Sequence, residues 1–157
     1  MQFLENYDLS AYNTFGIQTT ARYFAKISSV AELTNLDMDQ NLPVMILGGG
    51  SNVLFTRNFG GYILRNEIMG IEKVSEDDEH VYLRAGAGEN WHGFVEYCIA
   101  HDYAGIENLA LIPGFTGASP MQNIGAYGVE IKNVFHRLEA VHLEEKRMFS
   151  FTPGECE

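Results

Sequence analysis

Gly114, Gly117, Gly125 and Gly128 fall within one stretch, residues 112–130, that reads IPGFTGASPMQNIGAYGVE, with Ala118 and Ala126 beside two of them. A segment this poor in side chains buries little apolar area. Its use is to bring main chain close to something else, because glycine reaches conformations closed to other residues and leaves room at van der Waals distance. Ser119, Gln122 and Asn123 add short hydrogen-bonding groups, and Pro113 and Pro120 stiffen the path. The chemistry such a stretch supports is cradling of a ligand by backbone. A loop packed against its own domain is the competing reading for an isolated glycine cluster; here the length and the order of polar and small residues favour the cradle.

A second cluster lies in residues 44–55, VMILGGGSNVLF. The apolar run Val44-Met45-Ile46-Leu47 suits a buried strand, Gly48-Gly49-Gly50-Ser51-Asn52 makes a turn, and Val53-Leu54-Phe55 opens another apolar run. Successive amides in a glycine turn can point at a common centre and hold an anion, with Ser51 and Asn52 adding side-chain bonds. This would be a phosphate site made with no cation. It is not a Walker loop, because no Gly-Lys-Ser/Thr follows. Nor is it a dinucleotide fingerprint, since Val53 holds the third glycine's place and a strand follows where a helix should. Gly86-Ala87-Gly88-Glu89-Asn90-Trp91 has the better context for that fingerprint, but Trp91 would block close helix–strand packing, so Gly86 and Gly88 are read as turn residues.

The elements that must position these loops are short. Strands are expected at residues 21–27, 44–47, 53–55, 62–65, 71–74 and 81–85. A Ser29-Val30-Ala31-Glu32 capping box opens a helix to about Asp37. Trp91, Phe94, Val95, Cys98 and Ile99 repeat at helical spacing as one apolar core stripe, and Gly105 stops that helix a few residues on. Residues 134–143 and 147–151 flank Glu144-Glu145-Lys146 as a hairpin. Thr152-Pro153-Gly154-Glu155 carries the N-cap, proline and glutamate of a helix start that the chain does not continue, which reads as a truncation. Tyr127, the one aromatic of its loop, either packs or reaches a substrate pocket, with packing favoured. The mixture predicts an α+β fold with a subdomain boundary near Met69-Gly70.

Charge excludes one class of partner. Ten Lys and Arg stand against 21 Asp and Glu, a formal net charge of -11, so nucleic acid is not expected. No window reaches the ~18 apolar residues of a membrane span, and the first eight residues do not read as a signal peptide. Two cysteines, Cys98 and Cys156, fit a reduced, cytoplasmic protein. His92, His101, His136 and His142 lack cysteine or carboxylate support at metal-ligand spacing, so no metal site is expected.

Taken together, the two loops resemble the UDP-N-acetylenolpyruvoylglucosamine reductase family, flavoenzymes that make UDP-N-acetylmuramate for peptidoglycan. The matching stretches are Asn13-Thr14-Phe15-Gly16-Ile17, residues 48–55, Ala85-Gly86-Ala87-Gly88-Glu89-Asn90-Trp91 and residues 107–130. They span almost the whole chain in the family's order, and the last is highly specific. The family is similar to the wider group of FAD enzymes with the vanillyl-alcohol-oxidase type of fold, in which two small α+β subdomains hold FAD between them. The resemblance implies subdomain 1 at residues 1–69 and a truncated subdomain 2 at residues 70–157, with the substrate-binding domain absent.

By that resemblance, Gly48, Gly49, Gly50, Ser51 and Asn52 cradle the FAD pyrophosphate. Gly114, Gly117, Ala118, Ser119, Asn123, Ile124, Gly125 and Ala126 belong to the stretch that lines the pyrophosphate, the ribityl chain and one edge of the isoalloxazine. Some members of the wider group carry a histidine in the first loop that bonds covalently to the flavin. Ser51 stands there in this chain, which implies non-covalent FAD. A glutamate common in the reductases is replaced by Gly49, and amide donation survives that change. The acidity of the chain is answered locally by the positive potential of the glycine amides.

The family's activity is a hydride relay from NADPH through FAD to the enolpyruvyl group of a UDP-sugar. A serine protonates the intermediate, and an arginine and a glutamate stabilise its enolate form. No residue of this chain matches any of the three, so no catalytic residue is assigned and the chain alone is expected to be inactive. Two alternatives remain: the FAD-binding half of another flavin oxidase or dehydrogenase of the same fold, and a binding module with no redox role. The missing histidine and the Gln122-Asn123-Ile124-Gly125-Ala126-Tyr127-Gly128 run argue against the former, and FAD binding would argue against the latter.

Overall fold

A run of buried residues, Tyr62, Ile63 and Leu64, marks the strand around which the first half of the protein is built. The computed structural model describes residues 2–156. Strands β1 (Leu4–Asp8), β2 (Thr20–Ile27), β3 (Val44–Leu47) and β4 (Phe59–Asn66) form one sheet in the order β1-β2-β4-β3. β1 runs antiparallel to β2, whereas β4 is parallel to both of its neighbours. A central parallel strand covered on both faces needs apolar residues at consecutive positions. Accordingly Ile63 packs with Leu9, Phe24, Leu47 and Phe55, and Tyr62 and Leu64 pack with Ala25, Ile27 and Leu36 on the other side.

Helix α1 (Val30–Thr34) follows β2, with the Ser29 hydroxyl accepting from the Glu32 amide as its capping box requires. It ends three residues short of the expected Asp37. Thr34 and Asn35 are weak helix formers, and the chain turns there to bury Leu36. Two other expectations shift. Residues 53–55 form no strand, although Phe55 is buried, and β4 begins at Phe59 because Phe59 pairs with Ala21. β1 gives little periodic signal, since LENYD is an edge strand with mostly exposed side chains.

The second half is built from smaller pieces. β5 (Ile71–Glu76) and β6 (Val81–Ala85) form a hairpin whose turn is held by Asp77, which accepts from the Glu79 and His80 amides at 2.9 and 2.7 Å. Helix α2 (Trp91–Ala100) starts at Asn90, whose side chain accepts from the Gly93 amide. Trp91, Val95 and Cys98 bury against Ile106, Leu109 and Ile131. Ile99, expected in that stripe, is half exposed, because at about 100° per residue it has rotated off the face that Trp91 defines. Two 3-10 turns (Thr116–Ala118 and Pro120–Gln122) lead to the two-residue strands β7 (Gly125–Ala126) and β8 (Val129–Glu130), and β9 (Leu138–His142) pairs with β10 (Arg147–Phe151). Thr152 and Glu155 make the expected reciprocal caps, over a single 3-10 turn. The fold is mixed α+β. Among the described residues no helix is long and apolar enough to cross a membrane.

Candidate functional site between the glycine loops

The first glycine loop leaves the C-terminal end of β3 at Leu47, which is buried. Gly50 is needed there twice over. Its φ is +70°, and a Cβ at this position would lie 2.0 Å from the Tyr12 carbonyl oxygen. Beneath it the Thr14 amide donates to the Gly50 carbonyl at 3.2 Å. Asn13 is buried, donating to the Leu9 and Ile17 carbonyls at 2.9 and 3.1 Å and accepting from the Ile17 amide at 2.9 Å. The Asn13-Thr14-Phe15-Gly16-Ile17 stretch is thus a seat for the first loop. Sequence reading matched it without giving it this role.

The second loop is seated on residues 87–91. The Trp91 amide donates to the Gly114 carbonyl at 3.1 Å, Thr116 to Glu89 at 2.8 Å and Gly117 to Ala87 at 3.1 Å. Trp91 closes the arrangement from inside, its indole N–H donating to the Leu109 carbonyl at 2.7 Å. Gly86 and Gly88 are more than turn residues. Cβ atoms there would lie 2.3 Å from the Ile68 carbonyl oxygen and 2.8 Å from the Glu67 backbone, so the seat itself presses on the end of the first sheet.

The two loops then meet. A Cβ on Gly49 would lie 3.2 Å from the Gly114 Cα, and one on Gly48 would lie 3.6 Å from the Phe115 Cβ. One cavity opens at this junction, lined by Gly48, Gly49, Gly50, Ser51 and Asn52 from one side and by Gly114, Ala118, Ser119 and Ile124 from the other, with Trp91, Ile112, Phe115 and Gln122 among its walls. Four further residues singled out in the sequence lie elsewhere. Gly117 is packed under the loop, where a Cβ would lie 2.5 Å from the Ala87 Cβ. Asn123, Gly125 and Ala126 line a second concavity with Gly128, Val129, Glu130, Lys132 and Asn133. A Cβ on Gly125 would meet the Glu130 Cγ at 3.0 Å and the Val129 carbonyl oxygen at 3.1 Å, so its close approach is to β8.

Polar groups at the site are partly committed. Ser119 is buried and donates to the Thr116 carbonyl at 2.7 Å. Asn123 adopts a left-handed conformation (φ 39°) and its amide donates to the Glu130 carboxylate at 3.2 Å. Bonds from Lys132 and Asn123 hold the Glu130 carboxyl below its ordinary value. None of the residues lining the cavity is charged. Behind it, however, lies a cation that sequence reading did not foresee. Arg65, in register with Leu47, sets its guanidinium over the Phe115 ring at 4.5 Å and the Tyr12 ring at 5.5 Å. Its Nε and Nη1 are buried and make no hydrogen bond, and burial lowers its pKa. An arginine directly after the apolar run Tyr62-Ile63-Leu64 in the central strand is the signal that could have found it. Among the described residues, no group of three or more His, Cys, Asp or Glu side chains is placed to hold a metal ion.

An α+β scaffold that brings two glycine loops together over an uncharged cavity is the arrangement of a nucleotide-cofactor site, and this chain belongs to the FAD binding domain family, whose sequence profile matches residues 22–146. It is similar to UDP-N-acetylenolpyruvoylglucosamine reductase of Amoebophilus asiaticus (strain 5a2), with 48% identity over 99% of this chain and 47% of that protein. The same enzyme of Burkholderia cenocepacia (strain HI2424) is also 48% identical, over 99% of this chain and 46% of its own length. The solved UDP-N-acetylenolpyruvylglucosamine reductase from Thermus caldophilus superposes with a TM-score of 0.75 at 21% identity, covering 99% of this chain and 54% of that one, a likeness of fold. The chain spans about half the length of the curated relatives it matches.

Proposed function

We propose that this chain is the FAD-binding part of an NADPH-dependent reductase that converts UDP-N-acetylglucosamine enolpyruvate to UDP-N-acetylmuramate in peptidoglycan synthesis, working in the cytoplasm. The observation that carries the proposal is the meeting of the two loops at one cavity, where the backbones come so close that a Cβ on Gly49 would lie 3.2 Å from the Gly114 Cα. Relatives similar along nearly the whole chain support the same reading.

The cradle fits a pyrophosphate in its chemistry: main-chain groups, the Ser51 hydroxyl and the Asn52 amide bind without adding negative charge. FAD, when bound, supplies the two-electron carrier between NADPH and the enolpyruvyl group. The chain's own residues bind and orient it. Gly48 to Asn52 would hold the pyrophosphate and Gly114, Ala118, Ser119 and Ile124 would line the path toward the flavin, while Asn123, Gly125 and Ala126, which line a separate concavity, would stand outside that contact. With Ser51 in the first loop the attachment is non-covalent. Subdomain 1 covers residues 1–69 and subdomain 2 residues 70–157; separate buried clusters around Phe24 and Ile63 and around Trp91 and Leu109 support that division. No catalytic residue is assigned to this half, and the UDP-sugar would be bound by residues outside it.

The test is an absorbance spectrum after adding FAD and desalting. A retained flavin band is the expected outcome, with no substrate-driven NADPH oxidation by this chain alone. Absence of flavin both here and in a chain extended past Glu157 would sink the proposal.

A further inference from the structure

We propose that Arg65 is the cation of the phosphate site, lodged behind the first glycine loop to offset the charge of a bound pyrophosphate; the inference rests on the reading of that loop as an FAD cradle. β4 is apolar through Tyr62, Ile63 and Leu64, and alternation then puts Arg65 on the face of Ile63, the face that also carries Leu47, Phe24 and Leu9. Leu47, its partner in register, is the residue before Gly48. The two rings over which the guanidinium lies belong to residues that flank the glycine turn. Phe115 lies against Gly48 and Gly49, and the Tyr12 carbonyl presses on Gly50.

A guanidinium placed here is anomalous unless something anionic comes near. Nε and Nη1 are buried with their hydrogen bonds unmade, a costly state for a charged group. The nearby carboxylate of Glu67 is 3.0 Å from the Lys26 ammonium and shared with it. The aromatic faces attract the cation but leave its N–H donors unsatisfied. Meanwhile the cavity walls hold no charge and the whole chain carries a net -11. A dianionic diphosphate on the other side of the turn would be attracted through a poorly screened medium, and a small shift of the stacked side chain would let it donate.

The measurement compares the wild-type chain with R65M and R65Q, using FAD, inorganic pyrophosphate and riboflavin as probes. Flavin fluorescence gives the affinities, and thermal unfolding gives the stabilisation by pyrophosphate. FAD and pyrophosphate affinities are expected to fall at least about tenfold in both variants, while riboflavin changes little and the ligand-free melting temperature does not drop. Should R65M fail to fold, R65Q reads the same quantities. Undiminished FAD binding by the variants would overturn the role of Arg65 and leave the FAD reading standing. So would an equal loss for riboflavin and FAD with a lowered melting temperature, which would make Arg65 a mechanical latch between the rings. A wild-type chain that ignores FAD but is stabilised by pyrophosphate, with that effect lost in R65M, would overturn the FAD reading and leave Arg65 as the cation of a site for some other phosphate ligand.

Discussion

The two glycine loops look alike in composition and are held by different physics. In the first, glycine is required by neighbours as well as by conformation: Gly50 combines positive φ with a carbonyl oxygen where its Cβ would be. In the second the requirement divides along the chain. Gly117 has ordinary φ but no room beside Ala87, whereas Gly128 has a φ of +81° and open space around it. The first loop is a short cap pressed onto a sheet end. The second is a long strap, hydrogen-bonded to residues 87–91 at its start, that ends in a hairpin with Met121 and Tyr127 almost fully exposed. Glycine content therefore marks both loops, yet only contacts tell which glycines hold backbone surfaces together and which merely permit a turn.

Substitution at Gly50 tests the contrast most severely. Gly50→Ala is expected to cost about 4 kcal/mol, the strained φ and the collision acting together, read as a lowered urea midpoint. Gly117→Ala should cost about 2 kcal/mol by overpacking alone. Ala87→Gly should recover part of that loss in a double-mutant cycle, and purely additive effects would refute the contact. Binding separates the loops next. Asn52→Asp puts a carboxylate in the cavity and is expected to weaken FAD about tenfold in a fluorescence titration, worth about 1.4 kcal/mol. Asn123→Asp, beside Glu130 and away from that cavity, should leave FAD affinity nearly unchanged; a similar loss at both positions would erase the distinction between the two concavities.

Gly128→Ala should cost only about 1 kcal/mol, the penalty of a left-handed residue with nothing to strike. A last effect, confined to high pH, concerns the core beneath the strap. Burial pushes the Cys98 thiol from its ordinary value of 9.0 up to about 11. The unfolded thiol then ionises before the folded one, so its contribution to stability is complete below pH 9 and is lost as pH rises toward 11. Urea midpoints should fall across that window less steeply in Cys98→Ala than in the parent chain.

Local signals made much of this legible. The Ser29 cap, most of the stripe of α2 and the reciprocal caps of Thr152 and Glu155 each depend on residues a few positions apart, and they stand where the pattern puts them. Misreadings concentrate where distant chain decides. β1 exists because β2 offers it a ladder, and residues 53–55 lack a strand although their composition suits one.

What the sequence determined by itself is that two glycine-rich segments, each with serine and asparagine, would turn sharply and leave main chain with little side-chain cover; that follows from residue types whose conformational freedom and hydrogen bonds are local. Only the tertiary structure decided that the segments touch through Gly49 and Gly114, that Asn123, Gly125 and Ala126 face a different concavity from Gly48 to Asn52, and that a guanidinium from β4 lies behind the turn. Those facts join residues as far apart as Tyr12, Arg65 and Phe115, and no short-range pattern records which side chains a parallel sheet and its crossovers will bring together.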